Sequence, residues 1–263
     1  MTNDGRQRPL QSQSAGLPHG SCWRAAAVGE PQNSIEDRVL MIEFALAILV
    51  FLGAHVLPAA TGLRGTLIER MGRRLYVAAY SLVSLATIAW VIVAAGKAPY
   101  IELWPPGAAA ARITFLAMIP ASLLLAGAVL RPNPLSVSFR GGMTDRHSPG
   151  LLALTRHPIL WAFFFWAAGH LVANGDVVSV VLFGALAAFS LMGMRRLEKR
   201  ARQRLSAEDL EAAMAVAGGP FAARLRRAAS LRTGLELLAG LLLYGFFLHV
   251  HEAVIGVDPL AAF

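Results

Sequence analysis

Histidines within apolar segments are the residues of this chain most suited to chemistry. His55, His170, His249 and His251 each lie in a run of apolar residues, where an ionisable side chain is costly and often functional. Neutral imidazole is a good ligand for haem iron, zinc or copper, and two histidines on different helices can hold a haem without any cysteine. The pattern predicts a histidine-held metal or haem, with hydrogen bonding to a neighbouring helix as the alternative role of each side chain.

The spacing around His170 predicts a shared helical face. Trp166, His170 and Asn174 recur every four residues, which places them on one side of a helix. We interpret Trp166 and Asn174 as pocket groups beside the ligand, and a packed helix–helix seam is the alternative. His249 and His251 lie about 200° apart around a helix, so only one of them can face a given cofactor.

A second candidate site is the tripeptide Arg156-His157-Pro158. Proline is tolerated at the first position of a helix, so this segment predicts a helix start that carries one cationic and one titratable side chain. Arg156 and His157 could bind a phosphate or carboxylate there, including a haem propionate. The alternative is a positively charged anchor at the membrane surface.

Composition defines the elements that must position these residues. The chain has 263 residues, of which 56% are hydrophobic and 15% charged, against about 25% charged in a soluble domain. Long apolar blocks alternate with charged stretches, so the sequence predicts an all-α polytopic membrane protein. The single cysteine, Cys22, excludes an internal disulfide and a c-type haem attachment. The net charge of +8 comes mostly from arginines between the apolar blocks, which favours lipid contact over nucleic-acid binding.

We expect a bundle of about six transmembrane helices. The fourth span is short unless its helix begins near Leu151, and the three-residue link 174–176 predicts that the fourth and fifth helices pack as an antiparallel pair. The six spans are Met41–Ala60, Leu75–Ala95, Ile113–Leu130, Pro158–Ala173, Val177–Met194 and Leu235–Ile255.

The distribution of basic residues predicts the orientation in a bacterial inner membrane. Loops 61–74, 131–157 and 195–234 hold 18 of the cations, whereas the other loops and the C-terminus hold 2, so the first group is predicted to be cytoplasmic and to contact anionic lipid headgroups. Residues 1–40 are polar and predict a disordered tail before a membrane domain at 41–263. Met41, directly before the first apolar block, is an alternative translation start.

Several motifs together resemble the NnrU family of bacterial membrane proteins, which is related to the plant 15-cis-zeta-carotene isomerase. The resemblance rests chiefly on T-R-H-P at Thr155–Pro158 and W-A-A-G-H-L-V-A-N-G-D at Trp166–Asp176. The supporting motifs are F-L-G-A-H at Phe51–His55, G-x-R with a tyrosine at Gly72, Arg74 and Tyr76, and H-x-x-x-x-G-V-x-P at His251–Pro259.

The resemblance implies a haem b and a role in nitric-oxide and denitrification metabolism or isomerase-like redox chemistry. In the related isomerase the haem ligands match His55 and His170, which we therefore take as the preferred pair. His170 with His249 or His251 is the fallback pair, because simple counting places His55 and His170 at different depths. A proposed exchangeable cysteine ligand matches Ala167 here, which weighs against ligand-switch chemistry. The resemblance leaves open whether the protein is an enzyme, and which small hydrophobic substrate or redox partner it uses.

Two other functions remain as alternatives. R-H-P at a helix start also resembles the nucleotide-cofactor site of membrane methyltransferases of the isoprenylcysteine type. That family continues with paired glutamates, whereas this chain has Glu198 followed by Lys199. The other alternative is a non-enzymatic membrane assembly factor whose histidines only pack.

Overall fold

The fold is all-α, as the sequence predicts. The structure, a computed structural model, describes residues 35–261 and 263. Most of the predicted tail lies outside these residues, but residues 35–40 are helical, so the first helix begins before the expected boundary at Met41. The described residues form helices α1 (Ile35–Ala60), α2 (Leu63–Met71), α3 (Arg73–Lys97), α4 (Ala108–Leu130), α5 (Pro158–Asn174), α6 (Val177–Arg204), α7 (Ala207–Val216), α8 (Phe221–Ala228) and α9 (Leu231–Ile255), with a 3-10 helix at Gly150–Ala153 before α5.

Each of the six predicted spans lies within one of these helices. In the described part of the chain, five helices are long and apolar enough to cross a membrane, namely α1, α3, α4, α6 and α9. Helix α5 is apolar but has only 17 residues. The extension of α5 back towards Leu151 is wrong, because Leu151 lies in the separate 3-10 helix and Pro158 begins α5.

The predicted cytoplasmic loops contain more helix than expected. Helix α2 occupies most of loop 61–74. The basic stretch after residue 194 continues α6 as far as Arg204, and α7 and α8 follow it. Residues 218–220, Gly-Gly-Pro, separate these two helices, since α7 ends at Val216 and α8 begins at Phe221.

Helix α4 packs against both α5 and α9. Small residues allow the close approach, because a Cβ atom at Gly240 of α9 would lie 2.7 Å from the Cα of Leu123. Two hydrogen bonds fix the contacts. The Thr114 hydroxyl donates to the carbonyl of Gly169 in α5 at 2.7 Å, and the Tyr244 hydroxyl of α9 donates to the carbonyl of Phe115 at 3.0 Å.

Helices α1 and α3 form a second packing unit. Buried side chains such as Phe44, Ile48 and Val91 make a core with Val178 at the start of α6. Since α6 also packs on α5, it joins this unit to the rest of the bundle. Many large apolar side chains point outward, among them Leu82 (70% exposed) and Leu242 (66%), as expected for surfaces in contact with lipid.

The predicted tight turn between α5 and α6 is confirmed. Gly175 has φ +66°, and the side chain of Asp176 accepts hydrogen bonds from the backbone N–H groups of Val178 and Ser179, which caps α6. The carbonyl of Gly175 accepts from the N–H groups of Leu103 and Trp104. A Cβ atom on Gly175 would overlap Trp104, so the turn requires glycine.

A buried ion pair holds the opposite end of the bundle. Glu236 of α9 is 3% exposed and binds the guanidinium of Arg131, which directly follows α4. The other carboxylate oxygen accepts from the backbone N–H of Leu151 at 2.9 Å. Gly150 has φ +63°, and a Cβ atom there would overlap both charged groups. The pair thereby fixes the segment that leads into α5.

We expect Glu236→Ala to destabilise the protein strongly, because it leaves the Arg131 guanidinium buried without its counter-charge. Removing one partner of a buried pair costs about 3–5 kcal/mol. Thermal unfolding in detergent measures the effect, and Glu252→Ala, an exposed carboxylate on the same helix, is the matched control. Replacing both partners with Arg131→Met and Glu236→Leu should cost less than Glu236→Ala alone. Equal melting temperatures for Glu236→Ala and Glu252→Ala would contradict this assignment.

Candidate functional site

His170 and His251 come together near one end of the bundle. His170 lies one turn before the end of α5, and His251 lies one turn before the end of α9. Their ring centroids are 6.5 Å apart, with an angle of 34° between the ring planes. At a metal–nitrogen distance of about 2.0–2.1 Å, two imidazoles on opposite sides of one metal have centroids roughly 6 Å apart. The two ring centroids are therefore at a separation that a single metal could bridge.

Hydrogen bonds set the tautomer of both rings. The Nδ1 of His170 bonds the carbonyl of Trp166 at 2.8 Å, and the Nδ1 of His251 bonds the carbonyl of Val257 at 2.7 Å. A carbonyl only accepts, so each Nδ1 carries the hydrogen and, in the neutral ring, each Nε2 carries the lone pair. A backbone carbonyl is one of the usual acceptors for the ring N–H of a metal-binding histidine.

The second bond explains part of the H-x-x-x-x-G-V motif. Gly256 has φ +80° and ends α9 in a left-handed turn. The turn reverses the chain, so that the carbonyl of Val257 reaches the ring of His251. Glycine is favoured there because other residues rarely adopt this backbone conformation.

Aromatic rings surround His170. Trp166 and Phe183 lie 5.3 and 5.2 Å from its ring, measured between centroids. The prediction that Trp166 and Asn174 share a face with His170 is confirmed, but their roles differ. The Asn174 amide donates to the carbonyl of His170 at 2.7 Å, so it satisfies the end of α5 and fixes the backbone beside the ring.

His55 is not brought to His170. Its Nδ1 donates to the carbonyl of Phe51 at 2.7 Å, and its Nε2 accepts from the Ser84 hydroxyl at 2.9 Å. Its ring contacts Phe189 of α6, whereas His170 contacts Phe183. Six residues of α6 separate these contacts by about 9 Å along the helix and place them on different faces. Of the histidine pairs that the sequence suggests, the structure therefore brings together His170 and His251, and not His170 and His55.

His249 lies away from this pair. It is exposed on α9, two residues before His251 and on a different side of the helix. Of these two histidines, only His251 has a ring contact with His170 among the described residues.

Arg156 and His157 form a separate cluster. The Nη1 of Arg156 donates to the carboxylate of Glu198 at 3.2 Å, and the His157 Nε2 lies 3.4 Å from the same oxygen. Thirteen residues separate His157 from His170, so about 20 Å of α5 lies between them. These side chains are therefore too distant to contact a propionate of a haem on His170. If Arg156 and His157 bind a phosphate or carboxylate, that group belongs to another molecule.

Burial controls the protonation of His157. The residue is 5% exposed, and this burial lowers the pKa of its imidazole, although Glu198 opposes the effect. Among the described residues, its Nδ1 is buried without a hydrogen-bond partner. Glu198 completes this cluster. The sequence suggested it only through the comparison with the methyltransferases, which have two adjacent glutamates where this chain has one.

We expect the stability of the protein to fall as pH drops below about 6.5, the ordinary pKa of histidine. Because the pKa of His157 is lowered in the fold, the unfolded chain takes up a proton first, and stability is lost as pH falls towards the lower folded value. Melting temperatures at pH 7.5 and 5.5 measure it, and His157→Gln should reduce the difference between them, because the substituted side chain does not titrate. An unchanged difference in His157→Gln would rule out His157 as the titrating group.

Comparison with known proteins agrees with the motifs and with the fold. The family model described as NnrU protein matches residues 43–259, which include both histidines of the pair and the Arg156–Glu198 cluster. Searches of curated proteins and of solved structures found no match. The match covers most of the chain, and the membrane helices account for its apolar blocks. The chain therefore belongs to the NnrU family and is a multi-pass membrane protein.

Proposed function

We propose that this protein binds haem b, with His170 and His251 as the two axial ligands. The observation that supports the proposal is the pairing of their rings at 6.5 Å, with both Nδ1 atoms bonded to backbone carbonyls. Both Nε2 lone pairs are therefore available to a metal.

The donor set favours haem over a metal held by protein ligands alone. Zinc sites use three or four protein ligands, and within residues 35–261 and 263 no group of three or more His, Cys, Asp or Glu side chains could hold an ion. Haem brings its own four nitrogens and needs at most two axial ligands. Trp166 and Phe183 would supply apolar contacts beside it.

Such a centre would supply one-electron redox chemistry within the membrane. We assign this chemistry to nitric-oxide and denitrification metabolism, the role implied by the family resemblance, through electron transfer or redox sensing. Isomerase-like chemistry is less favoured, because the position of the exchangeable cysteine is Ala167, which is fully buried in α5.

We expect the purified protein to show a Soret band that is lost in His170→Ala and in His251→Ala. His55→Ala and His249→Ala are the matched controls, since each removes an intramembrane histidine outside the pair, and both should keep the band. Absorption spectra and the pyridine haemochrome of protein made under haem-replete conditions measure it. A colourless wild-type preparation would contradict the proposal and favour the assembly-factor alternative. Loss of the band in His55→Ala, but not in His251→Ala, would indicate that His55 and His170 are the ligands instead.

We also propose that the protein lies in the bacterial inner membrane with loops 61–74, 131–157 and 195–234 in the cytoplasm. Their excess of arginine supports this orientation and contact with anionic lipid headgroups. The histidine pair would then lie near the outer surface and the Arg156–Glu198 cluster near the cytoplasmic one.

Single cysteines introduced into a Cys22→Ser background test the orientation. A membrane-impermeant maleimide added to intact spheroplasts should label Leu103→Cys, in the loop before α4. It should label Arg226→Cys, in α8, only after lysis. Equal labelling of both positions in intact, sealed spheroplasts would contradict the orientation.

A further inference from the structure

A large cleft opens between α4, α5, α8 and α9 at the same end as the Arg156–Glu198 cluster. It has a volume of about 830 Å³, within the ~300–1,000 Å³ of sites that hold small molecules. Most of its wall is apolar and includes the side chains of Leu124, Trp161, Phe165 and Phe221. The cleft is distinct from the histidine pair, because neither His170 nor His251 is among the described residues that line it.

One end of the cleft is polar and carries a net positive charge. The charged and titratable side chains that line it are Arg156, His157, Glu198 and Arg224. Glu198 balances one of the two guanidinium groups, and the lowered pKa of His157 keeps its ring neutral at physiological pH. One positive charge therefore remains, which complements a single anionic group.

Hydrogen-bond donors at this end have capacity for a ligand. Arg156 donates to Glu198 through Nη1, whereas a guanidinium carries five donors in all. His157 adds no donor, because its neutral ring donates through Nε2 to Glu198 and its Nδ1 carries the lone pair. Helix α5 begins at Pro158, so its N-terminal dipole also favours negative charge at this point.

The apolar wall runs from the polar end towards the centre of the membrane. Trp161 and Phe165 follow His157 along α5 at about 6 and 12 Å. A molecule lying in the cleft would thus have its head at the membrane surface and its tail along the helices, the same alignment as a lipid.

We propose that this cleft binds an amphiphile with one long apolar chain and a phosphate head. The phosphate would contact Arg156 and the start of α5, and the chain would pack against Trp161, Phe165 and Leu124. Arg224 helps to shape the site, because its guanidinium bonds the carbonyls of Ala153 and Leu154 and lies 5.7 Å from the ring of Phe221. This proposal is independent of haem binding and does not require it.

Binding of radiolabelled hexadecyl phosphate to the protein in phosphatidylcholine nanodiscs tests the proposal. We expect saturable binding of hexadecyl phosphate. Hexadecanol and inorganic phosphate should each compete at least tenfold less well than unlabelled hexadecyl phosphate, because each lacks half of the ligand. Displacement by hexadecanol at the same concentration as by hexadecyl phosphate would overturn the role of the phosphate. Saturable binding of S-adenosylmethionine that hexadecyl phosphate cannot displace would overturn the proposal in favour of the methyltransferase alternative.

Variants separate the two halves of the site. Arg156→Gln should weaken binding at least tenfold, whereas Arg200→Gln, which removes an exposed charge from α6, should leave it unchanged. Leu124→Trp keeps every charge but fills the apolar part, and should also weaken binding at least tenfold. Gel filtration and melting temperature confirm that each variant is folded. Wild-type affinity in folded Arg156→Gln or folded Leu124→Trp would overturn the proposal.

Discussion

Glu236 is the buried charge on which the arrangement of one half of the bundle depends. A carboxylate taken out of water is stable only with partners, and Glu236 has two, the guanidinium of Arg131 and the N–H of Leu151. Through them α9 is joined to the end of α4 and to the 3-10 helix. Leu151 lines the cleft, and Arg156 and His157 follow a few residues later. The polar end of the cleft is therefore positioned by an ion pair that does not itself belong to the cleft's lining.

Helix α5 divides the chemistry between its two ends. His170, one turn before its C-terminus, contacts His251 of α9, whereas His157, just before its N-terminus, contacts Glu198 of α6. The middle of the helix is apolar, as lipid and tight packing require. About 20 Å separates the two groups, so a metal at one end and a ligand at the other would have no shared contacts. The structure thus combines two polar regions that can be tested independently.

The sequence predicts the helices better than it predicts their neighbours. Apolar runs define the spans because backbone groups in hydrocarbon must bond within a helix. Hydropathy gives no comparable signal for which helices touch, since a lipid chain and a leucine are equally apolar partners. The four-residue spacing therefore placed His170 on a packed face, whereas its pairing with His55 rested on the family resemblance alone. Counting along the helices from the cytoplasmic arginines does not separate the two candidates, because His55 and His251 each differ in depth from His170 by five residues, or about 7.5 Å.

The sequence contains weaker signals for the polar contacts of Glu236 and Glu198 than for the helices. Glu236 stands as an isolated carboxylate one turn inside α9, and Arg131 follows α4 directly, but their partnership across 105 positions of sequence depends on the packing of α4 with α9. Glu198 stands in a basic stretch of the sequence, and the only signal it gave was its comparison with the paired glutamates of the methyltransferases. It becomes a partner of Arg156 because α6 continues beyond the membrane span and passes the start of α5.

The three histidines with ring contacts show what distinguishes a structural imidazole from a candidate ligand. In His55, His170 and His251 alike, Nδ1 donates to a backbone carbonyl, an interaction that satisfies a buried ring whether or not it binds metal. The difference therefore lies at Nε2. In His55 it accepts from the Ser84 hydroxyl, so metal binding there would require breaking a hydrogen bond within the bundle. His170 and His251 instead have each other's rings as neighbours, and the lone pair that each Nε2 holds is the feature that makes this pair, rather than His55, the candidate for haem.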